Sequence, residues 1–121
     1  MLSRKLKTIE ELKTAVFTID CIANDDKLIR FYTGFTSYDI FVAFFEFLGP
    51  SVTQLDYWGE KDVRTIRRSR KLDPINQLFL TLMKLKLDLK YLDLSVRFGI
   101  SKTLVSRYFT TWVCFLYQHL N

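Results

Sequence analysis

Apolar residues recur every three or four positions along most of the chain, which is the spacing of amphipathic helices. Thr8 and Glu11 form a capping box ahead of the first such run, so a helix is predicted over residues 9–22. The stretch NDD at residues 24–26 supplies an N-cap for the next helix. Gly34 predicts the end of that helix, because glycine readily adopts the left-handed conformation of a helix C-cap.

A phenylalanine-rich run, YDIFVAFFEFLG, predicts a third helix. Thr36 or Ser37 caps its start, and the pair Gly49-Pro50 marks its end. The run is far shorter than the about 20 residues that a membrane span requires, so we interpret it as a core helix and expect no membrane partner.

Asp73 and Pro74 predict the start of another helix, because proline is favoured at the first helical position. Its apolar periodicity continues to about Leu87. No run in the chain alternates apolar and polar residues in the way that a half-buried strand does. The predicted fold class is therefore all-α, a small helical bundle.

The segment LDLSVRFGISKTLVSRYF contains a short break between two apolar-patterned runs. It predicts a helix from about Lys90 to Phe98, a three-residue turn GIS, and a second helix capped by Ser101. Glycine permits the tight corner, and this spacing is typical of a helix-turn-helix. The bundle is therefore expected to end in a three-helix unit that contains this motif.

The second helix of this motif has two chemically different sides. At 100° per residue, one side is apolar: Leu104, Val105, Tyr108, Phe109, Trp112, Phe115 and Leu116. The other side carries only hydrogen-bond donors, and with the cap residue the candidate DNA-binding set is Ser101, Lys102, Thr103, Ser106, Arg107 and Thr110. Hydroxyls, lysine and arginine are the groups that contact phosphates and base edges. A solvated helical hairpin with no DNA role is the alternative.

Positive charge is concentrated in the C-terminal half. Residues 1–59 carry 6 − 8 = −2, whereas residues 60–121 carry 12 − 5 = +7. The segment before the predicted helix-turn-helix forms a basic arm, with Arg64, Arg67, Arg68, Arg70 and Lys71. Such an arm tracks phosphates in some DNA-binding proteins. It could equally be a solvated linker that serves as a nuclear localisation signal, and a nuclear location is expected.

Metal chemistry has little support in the sequence. Cys21 and Cys114 are far apart and His119 is the single histidine, so no zinc site, cofactor or small-molecule substrate is expected. The thiols favour a reducing compartment over a disulfide framework.

Residues 72–120, LDPINQLFLTLMKLKLDLKYLDLSVRFGISKTLVSRYFTTWVCFLYQHL, resemble the helix-turn-helix that precedes the catalytic domain of eukaryotic DDE superfamily endonucleases, the Harbinger-like and THAP-associated transposases. The upstream stretch RFYTGFTSYDIFVAFFEFLGP is similar to the segment that accompanies it there. The resemblance implies recognition of transposon-end DNA, with Lys102, Thr103, Ser106 and Arg107 at the major groove.

The resemblance does not extend to catalysis. Such transposases hold metal ions with three carboxylates of a strand-rich domain, and no strand-rich region follows the motif here. Asp88 and Asp93 are interpreted as helix caps or solvated residues. A THAP zinc finger is also excluded, because its cysteine and histidine ligands are missing. We therefore expect either a non-catalytic fragment or domain of a transposase-like protein or a short domesticated descendant, and a full-length parent could be a nuclease.

The predicted organisation has three parts: an N-terminal helical subdomain at 1–58, a basic connector at 59–72 and a helix-turn-helix domain at 73–121. The predicted function is sequence-selective binding of double-stranded DNA. The alternative is a protein interaction or dimerisation module without a DNA role. A second copy of the chain and a DDE catalytic domain are the further partners that the sequence leaves open.

The basic arm gives the first testable prediction. Neutralising Arg67, Arg68 and Arg70 together should flatten the log-log salt dependence of DNA binding by up to about 2 to 3 units, because phosphate contacts release counterions. Titrations at several salt concentrations would measure this slope. An unchanged slope would assign the arm to linking or targeting.

Overall fold

The chain is described by a computed structural model over residues 17–49 and 72–120. A short 3-10 helix, Ile19–Ile22, precedes five α-helices. These are α1 (Asp26–Thr33), α2 (Tyr38–Leu48), α3 (Pro74–Leu87), α4 (Tyr91–Phe98) and α5 (Lys102–Leu120). No strand occurs in these two ranges, and the predicted all-α class is confirmed. Most of the predicted connector, residues 59–71, lies outside the described part, so the predicted domain division stays a prediction.

The first two α-helices begin and end where the sequence indicated. The Asp25 carboxylate accepts hydrogen bonds from the backbone N–H groups of Lys27 and Leu28, at 3.0 and 3.3 Å. Gly34 closes α1 with a φ of 85°, a left-handed conformation that costs a glycine little. Ser37 is the N-cap of α2, and its hydroxyl accepts from the N–H of Ile40 at 3.3 Å.

The prediction of one helix over residues 9–22 is wrong at its C-terminal end. Thr18 is extended, and only the 3-10 helix Ile19–Ile22 follows it. Two hydrogen bonds to distant residues explain the difference. The Phe17 N–H donates to the Arg97 carbonyl at 2.8 Å, and the Ile19 N–H donates to Oδ1 of Asn76 at 2.8 Å. Residues 9–16 lie outside the described part of the chain.

Helix α3 starts at Pro74, as predicted, with Asp73 in the N-cap position. The Asp73 side chain makes no capping hydrogen bond to the backbone, however, and instead accepts from Nδ2 of Asn76 at 2.6 Å. The helix ends at Leu87, and Asp88 adopts the left-handed conformation with a φ of 53°. Asp88 is therefore a C-cap, in agreement with its structural interpretation.

Helix α3 is the centre of the core. Its residues Leu78, Phe79, Leu80 and Met83 are completely buried, and it packs against α1 on one side and α5 on another. The Phe79 ring lies 5.4 Å from Phe17, 6.4 Å from Tyr32 and 5.8 Å from Phe98, measured between centroids. The contacts with Tyr32 and Phe98 are edge-on, and such contacts add to the stabilisation from burial. The N-terminal residues and the helix-turn-helix thus share one core.

A buried glutamine connects α3 to the last helix. Oε1 of Gln77 accepts from the indole Nε1 of Trp112 at 3.0 Å, and its Nε2 donates to the carbonyl of Leu72. Both Gln77 and Trp112 are fully buried. The N–H of Leu72 in turn donates to the Tyr108 hydroxyl at 3.5 Å. The start of α3 is therefore attached to the middle of α5 by polar contacts inside an apolar core.

Replacing Gln77 tests how much this attachment contributes. Gln77→Leu has a similar volume but leaves the Trp112 N–H and the Leu72 carbonyl without this partner, so it should lower the free energy of unfolding by about 2 to 4 kcal/mol. Urea denaturation would measure the loss. Gln118→Leu, at an exposed position of α5, is the matched control and should change the stability by less than about 0.5 kcal/mol. Equal small effects at both positions would contradict the assignment.

Candidate nucleic-acid interface

The corner between α4 and α5 is a tight glycine turn. Gly99 has a φ of 67° and a ψ of 35°, and its N–H donates to the carbonyl of Ser95. The N–H of Ile100 donates to the same carbonyl at 3.1 Å. This paired pattern closes a helix end while the chain reverses direction. The predicted turn GIS is confirmed, and Ser95, whose carbonyl accepts both bonds, is buried.

Ser101 starts the second helix of the motif. Its hydroxyl accepts from the N–H of Leu104 at 3.1 Å, and its carbonyl accepts from the N–H of Val105 at 3.0 Å. The serine side chain thus satisfies one of the free N–H groups of the first helical turn. The predicted cap is confirmed.

The apolar side of α5 is buried as predicted, with one partial exception. Leu104, Val105, Tyr108, Trp112, Phe115 and Leu116 are buried. Phe109 is only half-buried, and its ring lies 6.3 Å from that of Tyr91 in α4. Contact with α4 and α3 therefore fixes which side of α5 faces outward.

The polar side of α5 is turned outward from this core. Ser101, Lys102 and Thr103 are exposed, and Ser106, Arg107 and Thr110 are half-buried. The structure thus brings all six predicted residues together over the first two to three turns of α5. No Asp or Glu occurs anywhere in α5. The surface that results offers hydrogen-bond donors and two cations without a competing carboxylate on the same helix.

Charge is divided between the two described parts of the chain. Residues 72–120 carry six Lys/Arg and three Asp, 6 − 3 = +3, whereas residues 17–49 carry two Lys/Arg and five Asp/Glu, 2 − 5 = −3. The positive potential therefore belongs to the part that contains α5. A surface of this kind attracts polyanions.

Two of the C-terminal carboxylates are paired within the motif. Asp88 accepts from Nζ of Lys84 at 3.0 Å, and this hydrogen bond and charge lower the pKa of Asp88. Asp93 accepts from Nε of Arg97 at 2.9 Å, which raises the pKa of Arg97. Lys84 and Arg97 are thus each engaged with a carboxylate inside the motif.

Lys90 is a candidate that the sequence pattern did not single out. It is the exposed N-cap of α4, next to Tyr91, whose ring contacts Phe109 of α5. Lys90 therefore precedes, by one residue, a contact between α4 and α5. The feature of the sequence that could have identified Lys90 is its position as a basic residue at the start of the first helix of the motif. The predicted basic arm, Arg64, Arg67, Arg68, Arg70 and Lys71, lies outside the described residues.

The C-terminal half of α5 borders an apolar groove of about 650 Å³. Phe35 and Phe44 contribute from the N-terminal part, Leu82 and Leu85 from α3, and the remaining lining is Thr33, Gly34, Val113, Leu116, Tyr117 and Leu120. Tyr117 and Leu120 are 71% and 58% exposed. The outward side of α5 thus changes from polar to apolar along its length.

Metal-binding groups and membrane-spanning helices are absent from residues 17–49 and 72–120. Among residues 17–49 and 72–120, no group of three or more His, Cys, Asp or Glu could hold a metal ion. No helix within these ranges is long and apolar enough to cross a membrane. Cys21 and Cys114 are exposed and form no disulfide bond.

The Ser101 cap can be tested by substitution. Ser101→Ala should lower the free energy of unfolding by about 1 kcal/mol, because the Leu104 N–H loses its acceptor. Ser101→Asp should restore most of that loss, since aspartate also caps and its charge is favourable at a helix N-terminus. Thermal or urea unfolding of both variants provides the measurement. If Ser101→Ala were as stable as the unsubstituted protein, the cap would contribute nothing.

The comparisons with known proteins agree with this geometry. Residues 70–121 match the family described as helix-turn-helix of DDE superfamily endonuclease. No curated protein and no solved structure matches the chain. The match does not separate Harbinger-like from THAP-associated proteins, so that finer resemblance stays a prediction. The C-terminal segment, with α3, α4 and α5, is therefore similar to the helix-turn-helix of DDE superfamily endonucleases.

Proposed function

We propose that this protein binds double-stranded DNA through α5, without catalysing a reaction on it. The observation that carries the proposal is the donor surface of α5: six polar residues in the first turns of a rigidly packed helix, with no acid on that helix. An α-helix fits the major groove, which is about 12 Å wide. The similarity of residues 70–121 to a helix-turn-helix of DNA-processing enzymes supports the same conclusion.

The residues of this surface can make different kinds of contact with DNA. Lys102 and Thr103 are exposed at the N-terminus of α5, where backbone N–H groups also favour an anion, so they suit phosphate or base contacts. Arg107 lies one turn further along and can offer two parallel hydrogen bonds to guanine O6 and N7. Ser106 and Thr110 lie on the same side and can donate to either kind of acceptor.

Selectivity for transposon-end sequences is the finer part of the proposal. It rests on the resemblance of the motif to transposase helix-turn-helix regions and on Arg107 as a base-reading residue. The basic arm would add contacts to phosphates or to the minor groove, and a nuclear location fits a DNA partner. Docking to a DDE catalytic domain is a further proposal of the same kind.

One other function is favoured by a specific observation. The apolar groove beside Tyr117 and Leu120 would suit self-association with a second copy of the chain. In that case the helix-turn-helix would serve as an interaction module without a DNA role.

Selection of bound sequences from a random DNA pool tests the proposal directly. Recovery of a shared motif supports sequence-selective binding. Equal binding to all sequences would leave nonspecific binding only. Failure to bind DNA, together with concentration-dependent dimerisation in analytical ultracentrifugation, would favour the interaction module.

Two substitutions on α5 should then separate base reading from simple attraction. Arg107→Ala should weaken binding to the selected site by about 1 to 3 kcal/mol and relax the preference at one base pair. Lys102→Ala should weaken binding and, for a phosphate contact, reduce the log-log salt slope by about 1. Fluorescence anisotropy with the selected site and single-base variants would measure both effects.

Lys86→Ala is the matched control, because it removes the same charge from an exposed position of α3, where the side chain lies beside Gly34 at the apolar groove. It should bind almost like the unsubstituted protein. Ser101→Asp adds a second test, since it keeps the cap but introduces a carboxylate beside DNA phosphates and should weaken binding without loss of stability. Normal binding by folded Arg107→Ala, Lys102→Ala and Ser101→Asp would reject the assignment of α5 to the major groove.

A further inference from the structure

Residues 17–19, here called the strap, precede the helix-turn-helix in the sequence but are hydrogen-bonded to its helices. Thr18 at its centre is extended, and the residues on either side donate backbone hydrogen bonds to two different helices. The Phe17 N–H bonds to the carbonyl of Arg97 in the last turn of α4, at 2.8 Å. The Ile19 N–H bonds to the side chain of Asn76 in the first turn of α3, at 2.8 Å. The strap therefore connects α3 to the end of α4.

Asn76 is the side chain on which this connection depends. It is 5% exposed, and both ends of its carboxamide are engaged. Oδ1 accepts from the Ile19 N–H, while Nδ2 donates to Oδ1 of Asp73 at 2.6 Å. The Asp73 contact holds the amide in the orientation in which its oxygen faces the strap. A buried amide that is hydrogen-bonded at both ends fixes the positions of its two partners relative to each other, because any displacement leaves a buried polar group unpaired.

Asn76 and Gln77, which are adjacent in α3, are connected to the two helices on either side of the corner, Asn76 to α4 and Gln77 to α5. Asn76 acts through the strap on α4, which ends one residue before the corner glycine, Gly99. Gln77 holds α5 through the Trp112 indole. Ser101 and Lys102 follow Gly99 within three residues. The direction in which α5 leaves the corner is thus constrained by both contacts.

We propose that Asn76 is a positioning residue for DNA binding. Through the strap it sets the placement of α4 and of the Gly99 corner, and thereby the approach of the first turn of α5 to the DNA. The inference rests on the proposed function, and it extends the DNA-binding unit to Phe17, well before the motif. Directional contacts to base edges require a geometry held to within on the order of 0.5 Å, so a small shift at the corner weakens them.

The test compares DNA affinity among variants at a temperature at which circular dichroism shows each to be fully folded. Asn76→Leu cannot accept from the Ile19 N–H, and it should weaken binding to the selected site roughly three- to tenfold, less than about 1.4 kcal/mol. The backbone amide NMR signals of Gly99 and Ile100 should shift, which a uniform loss of stability would not cause. If Asn76→Leu does not fold, Asn76→Ser, whose side chain is too short to reach the strap, takes its place.

A side-chain exchange provides the rescue. Asn76→Asp combined with Asp73→Asn reverses the pair, so that a carboxylate accepts from the Ile19 N–H and a carboxamide at position 73 donates to it. Asparagine also serves well at an N-cap. This double variant should bind DNA within about twofold of the unsubstituted protein, a difference of less than about 0.5 kcal/mol. Leu48→Ala, at a buried position of α2 that takes no part in these hydrogen bonds, is the control for destabilisation alone and should retain full affinity when folded.

The outcomes separate the two proposals. Weaker binding by Asn76→Leu, with the corner signals shifted and the exchange restoring affinity, supports the positioning role. Normal affinity of folded Asn76→Leu, while Lys102→Ala and Arg107→Ala bind weakly, overturns the positioning role and leaves DNA binding in place. Equal loss in Asn76→Leu and Leu48→Ala also overturns it, because stability would then explain both. Failure of the unsubstituted protein to bind DNA rejects the proposed function itself.

Discussion

The hydrogen bond between Gln77 and the Trp112 indole is the constraint on which the helix-turn-helix most depends. Both side chains are completely buried, so neither polar group can turn to water if the other moves away. An apolar contact tolerates sliding, whereas this contact is directional and specifies one rotation of α5 about its own axis. That rotation determines which residues of α5 face outward. The donor surface is therefore a consequence of a polar contact on the opposite side of the helix.

This constraint also explains why a helix of nineteen residues can serve two purposes along its length. Trp112 lies near the middle of α5, and the turns before it expose hydroxyls, a lysine and an arginine. The turns after it expose Tyr117 and Leu120 beside an apolar groove. Water solvates the first part at little cost, whereas exposed apolar area of the second kind favours contact with another apolar surface. The proposed DNA contact and any protein contact would therefore occupy different ends of one rigid element.

The elements that the sequence predicted correctly are those set by local chemistry. Asp25, Ser37, Ser101 and Gly99 act within four residues of their own positions. Ser101 and Gly99 were identified individually from residue type and spacing, whereas Asp25 and Ser37 were placed only within short stretches of candidate caps. The division of α5 into a buried and an outward side follows from periodicity alone, which is equally local. The Phe109 ring is the partial exception, because its exposure depends on how closely Tyr91 approaches.

The features that could not be predicted involve residues distant in the sequence. The helix expected over 9–22 is not formed at Thr18, which is extended, and the Ile19 N–H donates to Asn76, 57 positions after it. Asp73 occupies the N-cap position of α3, where an aspartate usually accepts from the backbone, but its carboxylate accepts from the Asn76 side chain instead. Local propensity loses in both cases to a buried polar group that must be paired. The hydrophobic periodicity of the sequence does not indicate which distant residue will form such a hydrogen bond. The candidate donors on α5 could be located from the sequence, whereas the residues that hold them in place required the structure.

The two parts of the chain that share this core carry net charges of opposite sign. Residues 17–49 carry a net charge of 2 − 5 = −3 and pack on a helix-turn-helix whose described residues, 72–120, carry 6 − 3 = +3. One acid of the N-terminal part, Asp25, is used as a helix cap. In the proposed complex, phosphates repel the acidic part and attract the basic part, so the protein would approach DNA with α5 leading and with residues 17–49 facing solvent. A separate acidic domain on a linker could rotate freely and would not impose this orientation. Because the strap joins the two parts through hydrogen bonds from its backbone N–H groups, the acidic residues would contribute to the orientation of the proposed complex while remaining away from the DNA.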